Sequence, residues 1–296
     1  MRIRSWSATD VGLKRDHNED SHLIDDEIGL YIVADGMGGH AAGEKASRLA
    51  IETISATVME GIKNIPKRSD EGRDSETPPE ATDDPLEKLI TDAVRNASAA
   101  ILNTVEKNPN LYGMGTTVSA LLIHEGRAFF GHVGDSRIYK ISEEGIKQVT
   151  NDHSLVQEQV DAGIITKEEA ERSHFKNIIT RSVGFEPDLD VDTAYIHIRL
   201  GDRFLICSDG LSNPVRENEL YREALNRDGA ACLRRLIEMA NERGGDDNIT
   251  GVLLEVTGDD GETHDTVQIQ TVDGDDEPAD EDSRKTLVLT RITEKD

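Results

Sequence analysis

The spacing of apolar and polar positions changes several times along the chain, and each change marks an element. Near the N-terminus IRSWSAT and GLYIVA are short β-prone runs and read as strands. Over about residues 43–62, Ala46, Leu49, Ala50, Ile54, Val58 and Ile62 recur at helical spacing, which predicts a helix. Residues 67–85, KRSDEGRDSETPPEATDDP, are polar, rich in breakers and without period, so a mobile loop is expected. A second helix is predicted over about residues 86–105, with Leu89, Ile90, Ala93, Ala97 and Ile101 on one face. Hairpin-like runs follow: TTVSALLIH, RAFFGHVG, SRIYKI and IKQVT, with turn chemistry in HEG and GDS. Residues 154–171, LYREALNR and AACLRRLIEMANE read as helical, RFLICS and ITGVLLEV as strands. Strands grouped as hairpins, with two long helices early and two late, suggest an α+β protein with helices layered on antiparallel sheets, not a parallel α/β winding.

After Val256 the composition shifts, which sets a folded domain, 1–256, apart from a tail, 257–296. The tail carries 13 acidic and 4 basic residues and is expected to be disordered. Its tip, SRKTLVLTRI (283–292), is β-prone and has two readings. It is a leftover end, or it adds as a strand to a sheet edge on a partner or on this domain. The whole chain of 296 residues has a net charge of −26, a poor match to nucleic acid, which needs a positive field. Two cysteines, Cys207 and Cys232, make neither a disulfide framework nor a metal-binding spacing. MRIRSWSATD lacks the apolar stretch of a signal peptide, and no apolar run approaches the roughly 18 residues of a membrane span. A soluble, cytoplasmic protein with no membrane contact is expected, and a monomer.

The candidate chemistry lies where acids meet strand ends. VADG places Asp35 and Gly36 at the end of an apolar strand, and RFLICSDG does the same with Asp209 and Gly210. FFGHVGDSR puts Asp135 in a tight turn between strands. GGDDNITGVLLEV puts Asp246 and Asp247 just before one, and GLKRDHNED ends in Glu19 and Asp20 with Arg15 upstream. An acid at a strand end has a fixed position, and an adjacent glycine lets backbone and solvent approach closely. If these ends meet, so many carboxylates cannot all stay ionised without cations. An all-oxygen donor set suits Mg²⁺ or Mn²⁺ and not zinc. Each Asp-Gly alone is an ordinary turn signal; the recurrence is what carries the reading.

Six motifs then occur in order: Gly12, Arg15, Asn18, Glu19 and Asp20 in GLKRDHNED; DGMGGH from Asp35 to His40; GTT from Gly115 to Thr117; VGDSR from Val133 to Arg137; SDGL from Ser208 to Leu211; and GGDDNIT from Gly244 to Thr250. Together they resemble the metal-dependent protein phosphatases of type 2C in their bacterial form, across about residues 3–256. The resemblance implies a four-layer α-β-β-α sandwich with two antiparallel sheets and a flap subdomain over 151–184. It implies two Mn²⁺ or Mg²⁺ ions, with room for a third, and hydrolysis of phosphoserine and phosphothreonine by activated water without a covalent intermediate. By the same resemblance Asp35 bridges the two metals, the Gly36 carbonyl binds one, and Asp209 and Asp247 hold the other. Asp20, with Glu19 as a second candidate beside it, acts mainly through metal-bound water. Asp135 joins Asp209 at the third site, and Arg15 holds the phosphate. Asn177 and Arg181 fall at flap contacts to substrate, the alternative for Arg181 being a pair with surface acids. The expected partners are phosphoprotein substrates and a Ser/Thr protein kinase whose action the chain would oppose.

Animal members carry a histidine after Asp-Gly; here that residue is Met37, which leaves the general acid unassigned among His40 and water. Cys207 precedes SDGLS, not the loop of a thiolate phosphatase, and is expected to be a core residue. DLDVDT (188–193) departs from an aspartyl-phosphate motif and reads as a loop entering a strand. Two other functions compete with the enzyme: a catalytically silent phosphoprotein-binding module, and a metal phosphoesterase for small molecules.

Overall fold

The structure is a computed structural model, described here for residues 1–38, 41–65, 84–186, 188–258, 267–271 and 287–291. Strands β1 (Arg2–Asp10), β2 (Asp20–Asp25) and β3 (Leu30–Met37) lead into helix α1 (Ala41–Gly61). Helix α2 (Pro85–Lys107) precedes β4 (Gly115–Thr116), β5 (Val118–His124), β6 (Arg127–Val133), β7 (Arg137–Ser142) and β8 (Gly145–Gln148). Two short helices, α3 (Leu155–Asp161) and α4 (Lys167–Glu171), are followed by β9 (Asp192–His197) and β10 (Arg203–Cys207). The last described elements are α5 (Asp209–Ser212), α6 (Glu217–Asn226), α7 (Gly229–Glu242), β11 (Ile249–Thr257), β12 (Val267–Thr271) and β13 (Leu287–Arg291).

The strands form two sheets, ordered β13-β12-β1-β11-β10-β7-β8 and β2-β3-β5-β6-β9, with β4 beside β3. All described pairings are antiparallel except β1 with β12, which is parallel. Side-chain alternation builds the layers. On β3, Leu30, Ile32 and Ala34 join Ala46, Ile54, Ile90 and Ala97 under α1 and α2. Their neighbours Tyr31 and Val33 face the other way and pack with Phe204, Ile206 and Val252 between the sheets. On β10 the alternation continues: Leu205 and Cys207 join Trp6, Leu233 and Leu236 under α6 and α7. A strand buried on both faces reads as a continuous apolar run, which is why GLYIVA and RFLICS lack polar alternation. The result is the expected α-β-β-α sandwich.

Several boundaries differ from the sequence reading. The stretch 154–171 is broken into α3 and α4, with Gly163 at φ +68° between them and Ser154 and Thr166 capping the two N-termini. The α2 helix begins at Pro85 because Asp84 accepts from the Leu86 N–H and Pro85 needs no partner for its missing donor. The loop predicted over 67–85 otherwise lies outside the described residues. Two parts of the tail expected to be disordered are strands: β12 pairs with β1 from Trp6 to Thr9, and β13 pairs with β12. The apolar tip thus meets this domain's own sheet. Among the described residues, no helix is long and apolar enough to cross a membrane.

Candidate metal centre

The acids singled out at strand ends meet at one edge of the sandwich. Asp20 and Asp35 are direct cross-strand partners on β2 and β3. Asp135 comes from the turn between β6 and β7, Asp209 from the first residue of α5, and Asp247 from the turn before β11. Asp35 feels the charges of Asp20, Asp209, Asp135 and Asp247, so the five carboxylates share one electrostatic environment. Asp246, the neighbour of Asp247, is exposed and stands apart.

Backbone contacts fix this edge. The Asp35 N–H donates to Thr117 Oγ1 at 2.9 Å, and its carbonyl accepts from Thr116 Oγ1 at 2.8 Å and Thr117 N–H at 2.9 Å. That is the structural work of the GTT motif. A Cβ at Gly36 would collide with the carbonyls of Gly43 and Glu19, so only glycine allows β3 to pass this close to α1 and the Glu19 strand entry. Asn248 organises the other side. Its side-chain oxygen accepts from Glu19 N–H at 2.8 Å, and its amide donates to the carbonyls of Val11 and His17 at 2.9 Å each. The Arg15 loop is therefore pinned to the turn carrying Asp247, and Arg15 Nη2 donates to Asp247 Oδ2 at 2.8 Å.

Burial and mutual repulsion raise the carboxylates out of their usual range. Burial pushes Asp20 up to about 7, opposed by hydrogen bonds from Thr250 and Ser208, with Asp209 and Asp247 adding repulsion. Asp135 rises to about 8 through burial and then the charges of Asp209 and Asp152, with Arg137 opposing. Asp209 rises to about 6, through burial and Asp247. Asp35 is raised well above the carboxylate range, by burial first and Asp20 next.

These groups are also short of partners. Asp20 Oδ1, Asp135 Oδ1 and Asp209 Oδ1 are buried with no hydrogen bond, although Ser208 Oγ donates to Asp20 Oδ2 at 2.8 Å and Asn213 Nδ2 to Asp209 Oδ2 at 3.0 Å. A buried carboxylate oxygen without a donor costs about 1–3 kcal/mol or more, a cost a bound cation would remove. Among the described residues no three His, Cys, Asp or Glu side chains are already drawn together into a closed metal-ligand group. The fit to divalent cations rests instead on three orphaned oxygens, an all-oxygen donor set and the convergence of five acids. Hard oxygen-seeking cations that retain several waters match such an open arrangement.

The remaining sequence candidates fall as follows. Glu19 places its carboxylate against the start of α1: a Cβ on Gly43 would lie 2.5 Å from its Oε2. Asn177 is exposed on the flap. Arg181 donates to Asp192 at 2.9 Å and approaches Asp190 at 3.5 Å, the alternative reading of that residue. The flap cation whose charge reaches Asp209 is Lys176, which sequence reading passed over because nothing local separates it from other surface lysines. His40 lies outside the described residues. Met37 ends β3 opposite Gly115 and offers no proton. Cys207 is fully buried and its thiol is pushed up to about 12 by burial, which fits a core residue and not a nucleophile.

The family model described as protein phosphatase 2C matches residues 14–253, and the chain belongs to that family. It is 37% identical over 278 residues to the serine/threonine protein phosphatase PstP of Mycobacterium tuberculosis, covering 93% of this chain and 49% of that one. The chain thus spans about half the length of that relative. It is 35% identical over 252 residues to the serine/threonine phosphatase stp of Listeria monocytogenes, covering 83% of this chain and 93% of the relative. The solved catalytic domain of PstP in complex with two manganese ions superposes with a TM-score of 0.72 at 36% identity, over 86% of this chain and 99% of that one.

Proposed function

We propose that the chain is a Mn²⁺- or Mg²⁺-dependent phosphatase acting on phosphoserine and phosphothreonine in proteins. The observation that carries this is the set of buried, unpartnered oxygens on Asp20, Asp135 and Asp209 within a five-acid edge. The family fold and the names of the relatives support it. Asp35, the Gly36 carbonyl, Asp209 and Asp247 would hold two cations, with Asp20 acting through water and Asp135 with Asp209 at a third. Bound there, divalent cations supply an activated water and charge neutralisation at phosphorus.

The chain's own residues supply position. Arg15, half exposed, sits on Asp247 and can swing its free guanidinium face to a phosphate oxygen, a charge-assisted donor matched to that geometry. The charge of Lys176 reaches Asp209 and favours an incoming dianion at a cluster that would otherwise repel it. Ser208 holds Asp20 by a hydrogen bond and is itself held by the Thr250 N–H, so this acid is oriented before substrate arrives. A Ser/Thr kinase is the partner whose products this activity would remove, and the working state is a monomer.

The reading is tested with phosphothreonine and phosphoserine peptides, phosphotyrosine peptides and small phosphate esters side by side, after chelation and with Mn²⁺ restored. Phosphate release from the first two, dependent on Mn²⁺, is expected. Release confined to small esters would favour a small-molecule phosphoesterase. Binding of phosphopeptide without any release would favour a silent recognition module.

A further inference from the structure

Arg181 begins a series of contacts that runs under the flap to the turn carrying Asp135. Its Nη1 donates to Asp192 Oδ1 at 2.9 Å, and the other oxygen of Asp192 lies 3.2 Å from His153 Nε2. His153 is only 3% exposed. Its Nδ1 accepts from the Gly134 N–H at 3.1 Å, and its own N–H donates to the Gly134 carbonyl at 2.7 Å. One histidine therefore grips both polar groups of a single residue. A ring nitrogen that accepts is bare, so the proton of the neutral ring sits on Nε2, the nitrogen nearest Asp192.

The gripped residue has no side chain of its own to hold the turn. Gly134 has φ +112°, and a Cβ there would lie 2.6 Å from the Thr117 side chain. The next residue is Asp135, whose Oδ1 is buried without a donor. A second connection joins the same segment to the flap: Thr180 N–H donates to the His153 carbonyl at 2.8 Å, and Ser154 bridges to Ile179. Flap and acid are thus separated by one imidazole.

We propose that His153 is a positioning residue: its ring sets the turn of Gly134 and Asp135, and Asp192 and Arg181 set the ring. Displacement of the flap at Arg181 then alters where the Asp135 carboxylate points. Arg181 acts on the site through the protein and not through substrate. The catalytic consequence rests on the reading of Asp135 as a metal ligand; the positional coupling does not, because every contact exists without metal.

The test uses metal-free full-length protein and nuclear magnetic resonance of the Gly134 and Asp135 amides and the His153 ring nitrogens. In the wild type, Nδ1 should carry no proton and the Gly134 amide should exchange slowly. Arg181→Met should shift both amides and speed Gly134 exchange about fivefold, as expected for weakening one buried hydrogen bond, although Arg181 touches neither residue. His153→Asn keeps an acceptor near the Nδ1 position and is too short to reach Asp192. In that background Arg181→Met should leave both amides unchanged, the signature of coupling through the ring. Equal shifts in both backgrounds, or none in either, would overturn the proposal. Should His153→Asn fail to fold, Asp192→Asn cuts the same chain one step earlier and must silence Arg181→Met equally; shifts that persist there overturn it too. Mn²⁺ uptake, read from the loss of the free-ion spin resonance signal, separates the two ideas. If Asp135→Asn leaves uptake unchanged, the metal reading of Asp135 fails while the amide result still decides the coupling. If that reading holds, Arg181→Met should weaken the ion lost in Asp135→Asn about threefold.

Discussion

Asp152 and Asp135 are buried to nearly the same extent, 8% and 7% exposed, and lie close enough for Asp152 to help raise Asp135. Their surroundings are opposite. Asp152 receives Arg137 Nε at 2.9 Å and Nη2 at 2.6 Å, and Gln148 adds a donor at 2.8 Å. Asp135 Oδ1 has no partner, and the charges of Asp209 and Asp152 raise its carboxyl against the opposing charge of Arg137. A buried acid with a fitted guanidinium belongs to the scaffold. A buried acid surrounded by its own kind is held in a state that the fold alone would not select, and such sites are where function resides.

Isosteric changes should split the two regions. Asp35→Asn removes the central acid of the cluster, and turnover should fall about 10³-fold, the scale of several kcal/mol of charge stabilisation lost from the transition state. The metal-free variant should melt no lower than the wild type, because a repulsive group has been neutralised. Asp152→Asn should do the reverse. It leaves Arg137 buried without its counter-charge and should cost about 3 kcal/mol in urea unfolding. A stable Asp152→Asn variant, or an unfolded Asp35→Asn variant, would remove the distinction.

The cluster acids also make stability depend on pH. Asp20, Asp135 and Asp209 have folded-state values of about 7, 8 and 6, all above an unfolded aspartate. A raised acid binds its proton more tightly when folded, so its contribution is complete below about pH 4 and is lost as pH rises through 6 to 8. The metal-free protein should therefore lose thermal stability between pH 5 and 8, and Mn²⁺ should restore more of it at pH 8 than at pH 5.5. Calorimetry across that range, with and without Mn²⁺, checks the sign. The smallest expected effect is at Arg15. Arg15→Ala should raise KM for phosphopeptide about tenfold with kcat little changed, the loss of one charge-assisted clamp. Steady-state kinetics at saturating Mn²⁺ would show it.

Asp35 and Asp209 were legible because each stands at the end of an apolar run, and Asp135 and Asp247 because each borders one, whereas Asp20 follows the polar stretch GLKRDHNED and was singled out through the motif it closes. The layers were legible for the same reason in GLYIVA and RFLICS. What escaped depends on contacts between distant segments. Ser208 reaches Asp20 across 188 positions, and Asn248 ties together Val11, His17 and Glu19 from the far end of the domain. No period in the chain announces either. Gly43 reads as an ordinary helix residue until Gly36 and Glu19 are seen against it. In the tail, composition and pattern point apart: the acids argue for disorder, while the β-prone tip reads as a strand for a sheet edge, and β12 pairs with β1 and β13 with β12.

The central proposal is that the unpartnered carboxylates at this edge hold divalent cations. Its most direct test is equilibrium Mn²⁺ uptake by metal-free protein at neutral pH, comparing wild type, Asp35→Asn and Asp152→Gln. The account predicts at least two ions on the wild type, release of protons as they bind, and loss of both ions in Asp35→Asn, with uptake by any folded Asp152→Gln retained. Equal Mn²⁺ uptake by wild type and Asp35→Asn would contradict it.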